Sequence, residues 1–370
     1  MDRVGVGIVG FGFIGRIHAL AFSSLPYYYH GLPLLPEIRG ICTSRPETAR
    51  KAQEETGVPF VTSTFEELVE RKDIDIVVVA VPNALHRRVV ERAALCGKAV
   101  YCDKPLAANL DEASSMWQVV KNSGIPFGMA FQNRFAPAIL KAKSLLEEGR
   151  LGRIFRIRAL YLHSGYINPE RPISWRMQKE LAGGGALADL GSHLIDLIHF
   201  LVGDFQLLSA WGETFIKERP SLDDALKKER VTVDDWALID FRLSEGGWGS
   251  IECSRFATGS CDELRIEIEG SKGALRYNSM QPNFLEFYDT QDPGGALGGQ
   301  RGFKALEVVQ QYPPPSALPG KFAVGWVRSH IACVHDFILR LSGRESFGAT
   351  IDDGLRVQEV LHSAYTLMGL

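Results

Sequence analysis

Three clusters of side chains in this 370-residue chain could carry chemistry. The first is Gly183-Gly184-Gly185-Ala-Leu-Ala-Asp189-Leu-Gly-Ser-His193-Leu-Ile-Asp196, in which Asp, His and Asp recur at i, i+4 and i+7. On a regular helix that spacing puts all three on one face, and a carboxylate one turn from an imidazole suits proton transfer. The same pattern would serve a core histidine satisfied by a carboxylate, or two metal ligands. No third ligand stands nearby at metal spacing, so no metal is expected. The second cluster, Tyr101-Cys102-Asp103-Lys104-Pro105, sets an ammonium between a carboxylate and a proline that can fix a turn. Lys104 is read as functional, against the alternative of a solvated surface lysine. The third, Val81-Pro82-Asn83-Ala-Leu-His86, places polar groups directly after an apolar run.

These clusters need elements to position them, and the N-terminal segment Val6-Gly-Ile-Val-Gly10-Phe-Gly12-Phe13-Ile14-Gly15 begins that frame. It reads as a strand, a tight turn and the start of a helix. Gly10 lets the chain turn, Gly12 lets backbone approach a pyrophosphate, and Gly15 lets the helix pack close to the strand. The helix N–H groups then face the anion. GxGxxG alone is a weak signal, but here it follows an apolar strand and opens an alternating series, which predicts a dinucleotide site.

That series continues with strands at 38–43, 74–81, 99–102 and 127–131, separated by helical patterns at 46–56, 65–71, 84–96 and 110–123. The stretch from Ile74 is apolar on both faces, as in a central parallel strand. Alternation of this kind predicts a doubly wound Rossmann sheet over residues 1–128, with its ligand beyond the carboxyl ends of the strands. The pattern then changes. After a helix at 137–148, longer strands at 154–163, 207–215, 236–243, 249–256, 264–269 and 284–288 alternate with period two. They predict an α+β domain over 129–370 with an antiparallel or mixed sheet, packed on one face and wetter on the other, where a second subunit could meet it. A helix at 185–202, a long Gly- and Pro-rich loop at 292–320 and helices at 327–341 and 353–368 complete the reading.

Composition limits the alternatives. Hydrophobic residues are 45% and charged residues 23%, with a net charge of −3. Basic and acidic side chains are mixed along the chain, so neither nucleic acid nor membrane is expected as a partner. No signal peptide is read at the N-terminus, and no uninterrupted apolar run reaches the ~18 residues of a membrane span. The cysteines at 42, 96, 102, 253, 261 and 333 are scattered without a CxxC pair, which predicts a reducing, cytoplasmic setting.

Taken together, the motifs resemble the glucose–fructose oxidoreductase / inositol dehydrogenase / rhizopine catabolism family (Gfo/Idh/MocA). Asp103-Lys104-Pro105 is similar to the family's Glu-Lys-Pro, with a shorter carboxylate, and Gly183 to Asp196 is similar to its GGGxLxDxGxHxxD. Ser254-Arg-Phe-Ala-Thr-Gly and Asp353-Gly-Leu-Arg-Val-Gln-Glu also resemble members. The resemblance implies a nicotinamide-dependent oxidoreductase acting on sugars, cyclitols or related polyols, its Rossmann domain followed by a substrate-binding and oligomerisation domain with an open, largely antiparallel sheet. It implies His193 as general base for the substrate hydroxyl, Lys104 as hydrogen-bond donor to that oxygen, and Asp189 as the group that holds substrate or His193.

The expected cofactor contacts are Gly10, Gly12, Phe13, Ile14, Gly15, Pro82, Asn83, His86, Asp103 and Lys104, together with Thr43, Ser44 and Arg45. The tip of the second strand has no carboxylate for a ribose 2′-hydroxyl, and Arg45 can pair with a phosphate, so NADP is preferred over NAD. Substrate contacts are expected from Lys104, Asn133, Arg134, Trp175, Arg176, Asp189 and His193, with Tyr161, His163 and Tyr166 in reach. The partner is a small sugar or polyol, and the chain is expected to form a dimer or tetramer. Two further readings share these residues: a glycoside hydrolase or lyase that uses bound NAD(P) transiently, and a non-catalytic sugar and dinucleotide sensor.

Overall fold

A computed structural model describes residues 2–224, 226–308, 323 and 325–369. The chain divides into two compact units. The first holds residues 2–132 and Trp326–Gln358. Its strands are β1 (Asp2–Val9), β2 (Leu34–Cys42), β3 (Phe60–Thr62), β4 (Ile76–Val79), β5 (Ala99–Cys102) and β6 (Phe127–Met129). Helices α1 (Phe13–Tyr28), α2 (Pro46–Thr56), α3 (Phe65–Val69), α4 (His86–Leu95) and α5 (Leu110–Ser123) alternate with them. All six strands run parallel in the order β3-β2-β1-β4-β5-β6. Every residue of β4 is fully buried, as its unbroken apolar run requires. Strand order reverses between β1 and β4, so the crevice lies beyond the ends of those strands, where the first-unit clusters sit.

The sequence placed 129–370 in one second domain, but Trp326–Gln358 belongs to the first unit. Helix α9 (Trp326–Leu341) packs on α1. The Arg328 guanidinium lies over the rings of Tyr28 and Tyr29, at 4.5 and 5.1 Å, and His335 stacks on Tyr29 at 3.6 Å. An amphipathic stripe says only that a helix covers something apolar. Which surface it covers is a long-range property that local pattern does not carry.

The second unit holds Asn133 onward as far as 308, and Glu359 to the end. Its elements are α6 (Pro137–Glu147), β7 (Ile154–Leu162), the single turn α7 (Lys179–Ala182), α8 (Ser192–Val202), β8 (Phe205–Glu213), the short pair β9 (Glu218–Pro220) and β10 (Lys228–Arg230), β11 (Trp236–Leu243), β12 (Trp248–Ser254), β13 (Glu263–Gly270), β14 (Gly273–Asn278), β15 (Phe284–Asp289) and β16 (Lys304–Glu307). Helix α10 (Ile351–Met368) ends the fold. Eight strands form one sheet, β16-β15-β14-β13-β7-β12-β11-β8, antiparallel except where β7 and β12 run parallel. Helices α6 and α8 cover one face, where Ile157, Ala159, Tyr161, Leu264, Ile266 and Ile268 are buried. The other face is open. It carries the cross-strand pair Arg156–Glu269 and two half-exposed indoles, Trp211 and Trp248.

Part of the expected 292–320 loop is ordered differently. Lys304–Glu307 pairs with β15 as an edge strand, and residues 309–320 lie outside the described residues. Edge strands of three or four residues, such as β3, β10 and β16, offer too few positions for a period to show.

Candidate active site

The phosphate turn has the geometry its glycines imply. Gly10 sits at φ 95°, and a Cβ there would lie 2.2 Å from the Ala80 carbonyl oxygen. At Gly15 a Cβ would meet the Gly10 carbonyl oxygen at 2.1 Å, so strand and helix touch backbone to backbone. Gly12 differs: nothing lies within 4 Å of its would-be Cβ. The N-terminus of α1 has no side-chain cap and no acidic residue in its first turn. An open backbone with unclaimed N–H donors and no carboxylate fits the diphosphate of a dinucleotide. Phe13 is 68% exposed beside this turn and Ile14 is half-buried.

At the end of β2 the residues take different parts. The Thr43 and Thr48 hydroxyls are 2.7 Å apart, and both reach the Arg45 carbonyl oxygen. Thr43 therefore shapes the turn into α2, while Ser44 and Arg45 are exposed at the start of that helix. His86, expected at the cofactor, is wholly buried. Its Nδ1 lies 3.1 Å from the Leu106 carbonyl oxygen and its Nε2 3.0 Å from that of Val81, bracing the two loops at the strand ends. Burial lowers its pKa, against the opposing pull of Asp103 and the carbonyls. Its cluster follows the apolar run of β4, which is why it is expected at the cofactor, but the loops close over the ring. Pro82 leads into a single helical turn that holds Asn83, which is 6% exposed.

Asp103 and Lys104 follow β5, and the peptide between Lys104 and Pro105 is cis. The Asp103 carboxylate lies 3.7 Å from Nε2 of the fully buried His18. Burial pushes the Asp103 pKa up, but His18, Lys104 and His86 outweigh it and bring it down to about 2. A fixed anion thus stands beside the Lys104 ammonium.

In the second unit the Gly183–Asp196 cluster is not one regular helix. Leu187–Gly191 is wound as a π-helix and Ser192–Val202 as an α-helix. The regular i, i+4 spacing therefore does not hold across Asp189 and His193; π turns of this kind recur at functional sites. The triple glycine has a packing role here. A Cβ on Gly185 would lie 1.8 Å from the Asp234 backbone oxygen. That closeness lets the buried Asp234 carboxylate accept from Gly185 N (2.7 Å) and Leu187 N (2.8 Å), and from the Tyr365 hydroxyl (2.8 Å). An aspartate far along the chain thus caps this helix start.

Asp189 accepts a hydrogen bond from Arg255 Nη2 at 3.0 Å. Arg255 is 1% exposed; it also donates to the Arg176 carbonyl oxygen at 3.1 Å and lies over the Tyr166 ring at 4.8 Å. Burial lowers the Arg255 pKa, but Asp189 and Tyr166 raise it further, so the guanidinium stays charged. His193 is buried on α8 against Tyr161, with ring centroids 5.8 Å apart. Trp175 and Arg176 form a half-buried turn in which the guanidinium covers the indole at 4.4 Å. The Asn133 Nδ2 donor is buried without a hydrogen-bond partner among the described residues.

Arg134 departs from its expected substrate role. Its Nε and Nη2 bond Asp196 at 2.9 and 2.5 Å in a buried bidentate pair. That pair ties the start of the unit to α8, and it removes Asp196 from the supposed catalytic face. Arg255 and Asp234 were missed: the first lay in a segment noted only for its family likeness, and the second carries no local signal of its partners. Among the described residues no group of three or more His, Cys, Asp or Glu side chains could hold a metal. Lys179–Val202 is long and apolar enough to cross a membrane, yet 83% of its apolar window is buried inside the fold.

The sequence model of an oxidoreductase family with an NAD-binding Rossmann fold matches residues 4–131, and that of the GFO/IDH/MocA C-terminal domain matches 139–276. Levoglucosan dehydrogenase of Pseudarthrobacter phenanthrenivorans is 33% identical over 96% of this chain and 94% of its own length. Myo-inositol 2-dehydrogenase of Thermotoga maritima is 26% identical over 79% of this chain and 80% of its own. A solved levoglucosan dehydrogenase in complex with NADH and levoglucosan superposes with a TM-score of 0.92 at 32% identity, covering 100% of this chain and 98% of that one.

Proposed function

The chain belongs to the Gfo/Idh/MocA family of oxidoreductases, and from that premise we propose how its residues divide the reaction. It is an NAD(P)-dependent oxidoreductase of sugars or polyols. The cofactor, when bound, accepts hydride from a carbon bearing a hydroxyl group or returns it to a carbonyl carbon. The open backbone at Gly12, facing an uncapped and acid-free helix start, is the observation that carries this reading. His193 takes the hydroxyl proton as hydride leaves, and Lys104 donates a hydrogen bond to that oxygen and stabilises its developing charge. Asp189, held in place by the Arg255 guanidinium, orients the substrate. Asn133 and Arg176 supply donors to sugar hydroxyls, and Trp175 offers a ring face.

The substrate we infer is a neutral pyranose or anhydrosugar, supported by end-to-end similarity to a levoglucosan dehydrogenase. For the cofactor we infer NADP over NAD, because Arg45 is exposed at the end of β2 where no carboxylate opposes a 2′-phosphate. Homo-oligomer formation through the open sheet face and a cytoplasmic setting, supported by six free cysteines, complete the reading. The test follows reduced-cofactor absorbance across levoglucosan, inositols and hexoses while assaying glycoside cleavage. Net cofactor turnover is expected, abolished in His193→Ala with cofactor binding retained. Cleavage without net turnover would replace this reading by the hydrolase or lyase alternative. In Arg45→Ala the ratio of kcat/KM for NADP to that for NAD should fall; an unchanged ratio refutes the cofactor preference.

A further inference from the structure

Helix α9 lies beyond both matched segments, which end at residues 131 and 276, and nothing in its sequence suggested a ligand. Its first residue, Trp326, stacks on Phe13 of the phosphate turn, with ring centroids 5.9 Å apart and planes 14° from parallel. One helical turn later His330 meets the Trp326 indole edge-on at 4.3 Å. His330 in turn packs against His18 at 6.0 Å, and His18 faces Asp103, the neighbour of Lys104. These rings form an unbroken row from the phosphate end of the first-unit crevice to its reactive end. Two features of the row are unusual for packing alone. Phe13 and Trp326 keep 68% and 38% of their surface exposed although they stack on each other. His18 and His330 are at most 1% exposed, yet neither nitrogen of His330 nor Nδ1 of His18 has a hydrogen-bond partner among the described residues, and His18 Nε2 has only the Asp103 carboxylate at 3.7 Å. A purely structural wall would be apolar throughout, because buried polar atoms without partners are costly.

We propose that Trp326 is a cofactor-binding residue: its exposed indole covers the bound dinucleotide beside the Gly10–Gly15 turn and slows its release, with His330 as the positioning residue that holds the indole upright. The proposal rests on the reading that the Gly10–Gly15 turn holds the cofactor. An indole face suits a planar nitrogen heterocycle, and stacking at a half-open edge acts chiefly on dissociation. His330 is itself held neutral, since burial takes its pKa down to about 3, aided by His18 and Lys104. A neutral ring buttresses the indole without adding a second cation beside Lys104.

The experiment measures binding and release of NADH and NADPH by wild type, Trp326→Phe, Trp326→Ala and His330→Ala, using stopped-flow fluorescence, with thermal melting as the check on folding. Trp326→Ala should raise Kd about tenfold through a faster off-rate, His330→Ala about threefold, and Trp326→Phe by less than either. Energy transfer from protein tryptophan to bound NADH should drop sharply in Trp326→Phe, which keeps a ring and the fold. The KM for sugar at saturating cofactor should stay unchanged. Unaltered off-rates in Trp326→Ala, or unaltered energy transfer in Trp326→Phe, would overturn the proposal. Gly12→Val separates the two levels: it should abolish binding, and if it does not, the phosphate-turn reading fails rather than the role of Trp326.

Discussion

Replacing Arg255 by Gln removes a buried cation that serves three partners at once: the Asp189 carboxylate, the Arg176 carbonyl and the Tyr166 ring. Breaking a buried ion pair by deleting one partner costs about 3–5 kcal/mol. Asp189 keeps 26% of its side chain exposed and can turn toward water, so the loss of folding stability should fall nearer to about 2–3 kcal/mol. The effect on catalysis is separable from this. Asp189 and the Trp175–Arg176 turn are held by one guanidinium, so its loss releases together two segments proposed to face the substrate. A reduction in kcat/KM of about a hundredfold corresponds to about 2.7 kcal/mol of transition-state stabilisation. Steady-state kinetics well below the melting temperature, with NAD(P)H binding measured in parallel, are the assay. Arg255→Gln should lose kcat/KM for sugar while binding cofactor normally. In a double-mutant cycle with Asp189→Asn the coupling should exceed about 1 kcal/mol. Arg255→Lys should recover only part of the loss, because an ammonium cannot bond a carboxylate and a carbonyl in the fork geometry of a guanidinium. Normal kinetics in Arg255→Gln, or losses that simply add in the cycle, would refute the reasoning.

Other outcomes follow from the same geometry. Asp103 titrates at about 2 instead of its ordinary 3.8, so its contribution of about 2 kcal/mol is fully present above pH ~4 and is lost as pH falls toward 2. Asp103→Asn should therefore melt lower than wild type at pH 7, and the gap should close in acid; a gap independent of pH contradicts this. Asp196→Leu and Arg134→Met should each destabilise the second unit by about 3 kcal/mol, whereas the double variant should regain most of that stability in chemical denaturation. Gly185→Ala drives a methyl into the Asp234 backbone and should lower both melting temperature and turnover, without changing the NADPH dissociation constant.

The sequence by itself determined the elements whose signals are local. Alternating apolar runs and helices set out the parallel sheet, and Gly10, Gly12 and Gly15 specified a turn whose geometry is dictated by missing Cβ atoms. The period-two pattern of Leu264-Arg-Ile-Glu-Ile-Glu marked one packed and one open face. Asp189, His193 and Lys104 were legible as candidates because their residue types and neighbours are chemical, and a family resemblance gave them roles. Tertiary structure alone decided their surroundings. It turned Asp196 and Arg134 from candidate site groups into a buried strut, and His86 from a ligand contact into a brace. It brought in Arg255 to hold Asp189 and Asp234 to cap the helix start, and it returned α9 to the first unit, with Trp326 against Phe13. Each of these depends on pairs of residues between 20 and more than 300 positions apart. A periodicity or a short motif reports the shape of one segment, but the partner of a buried charge or an amphipathic face is chosen by chain closure, which no window of sequence contains.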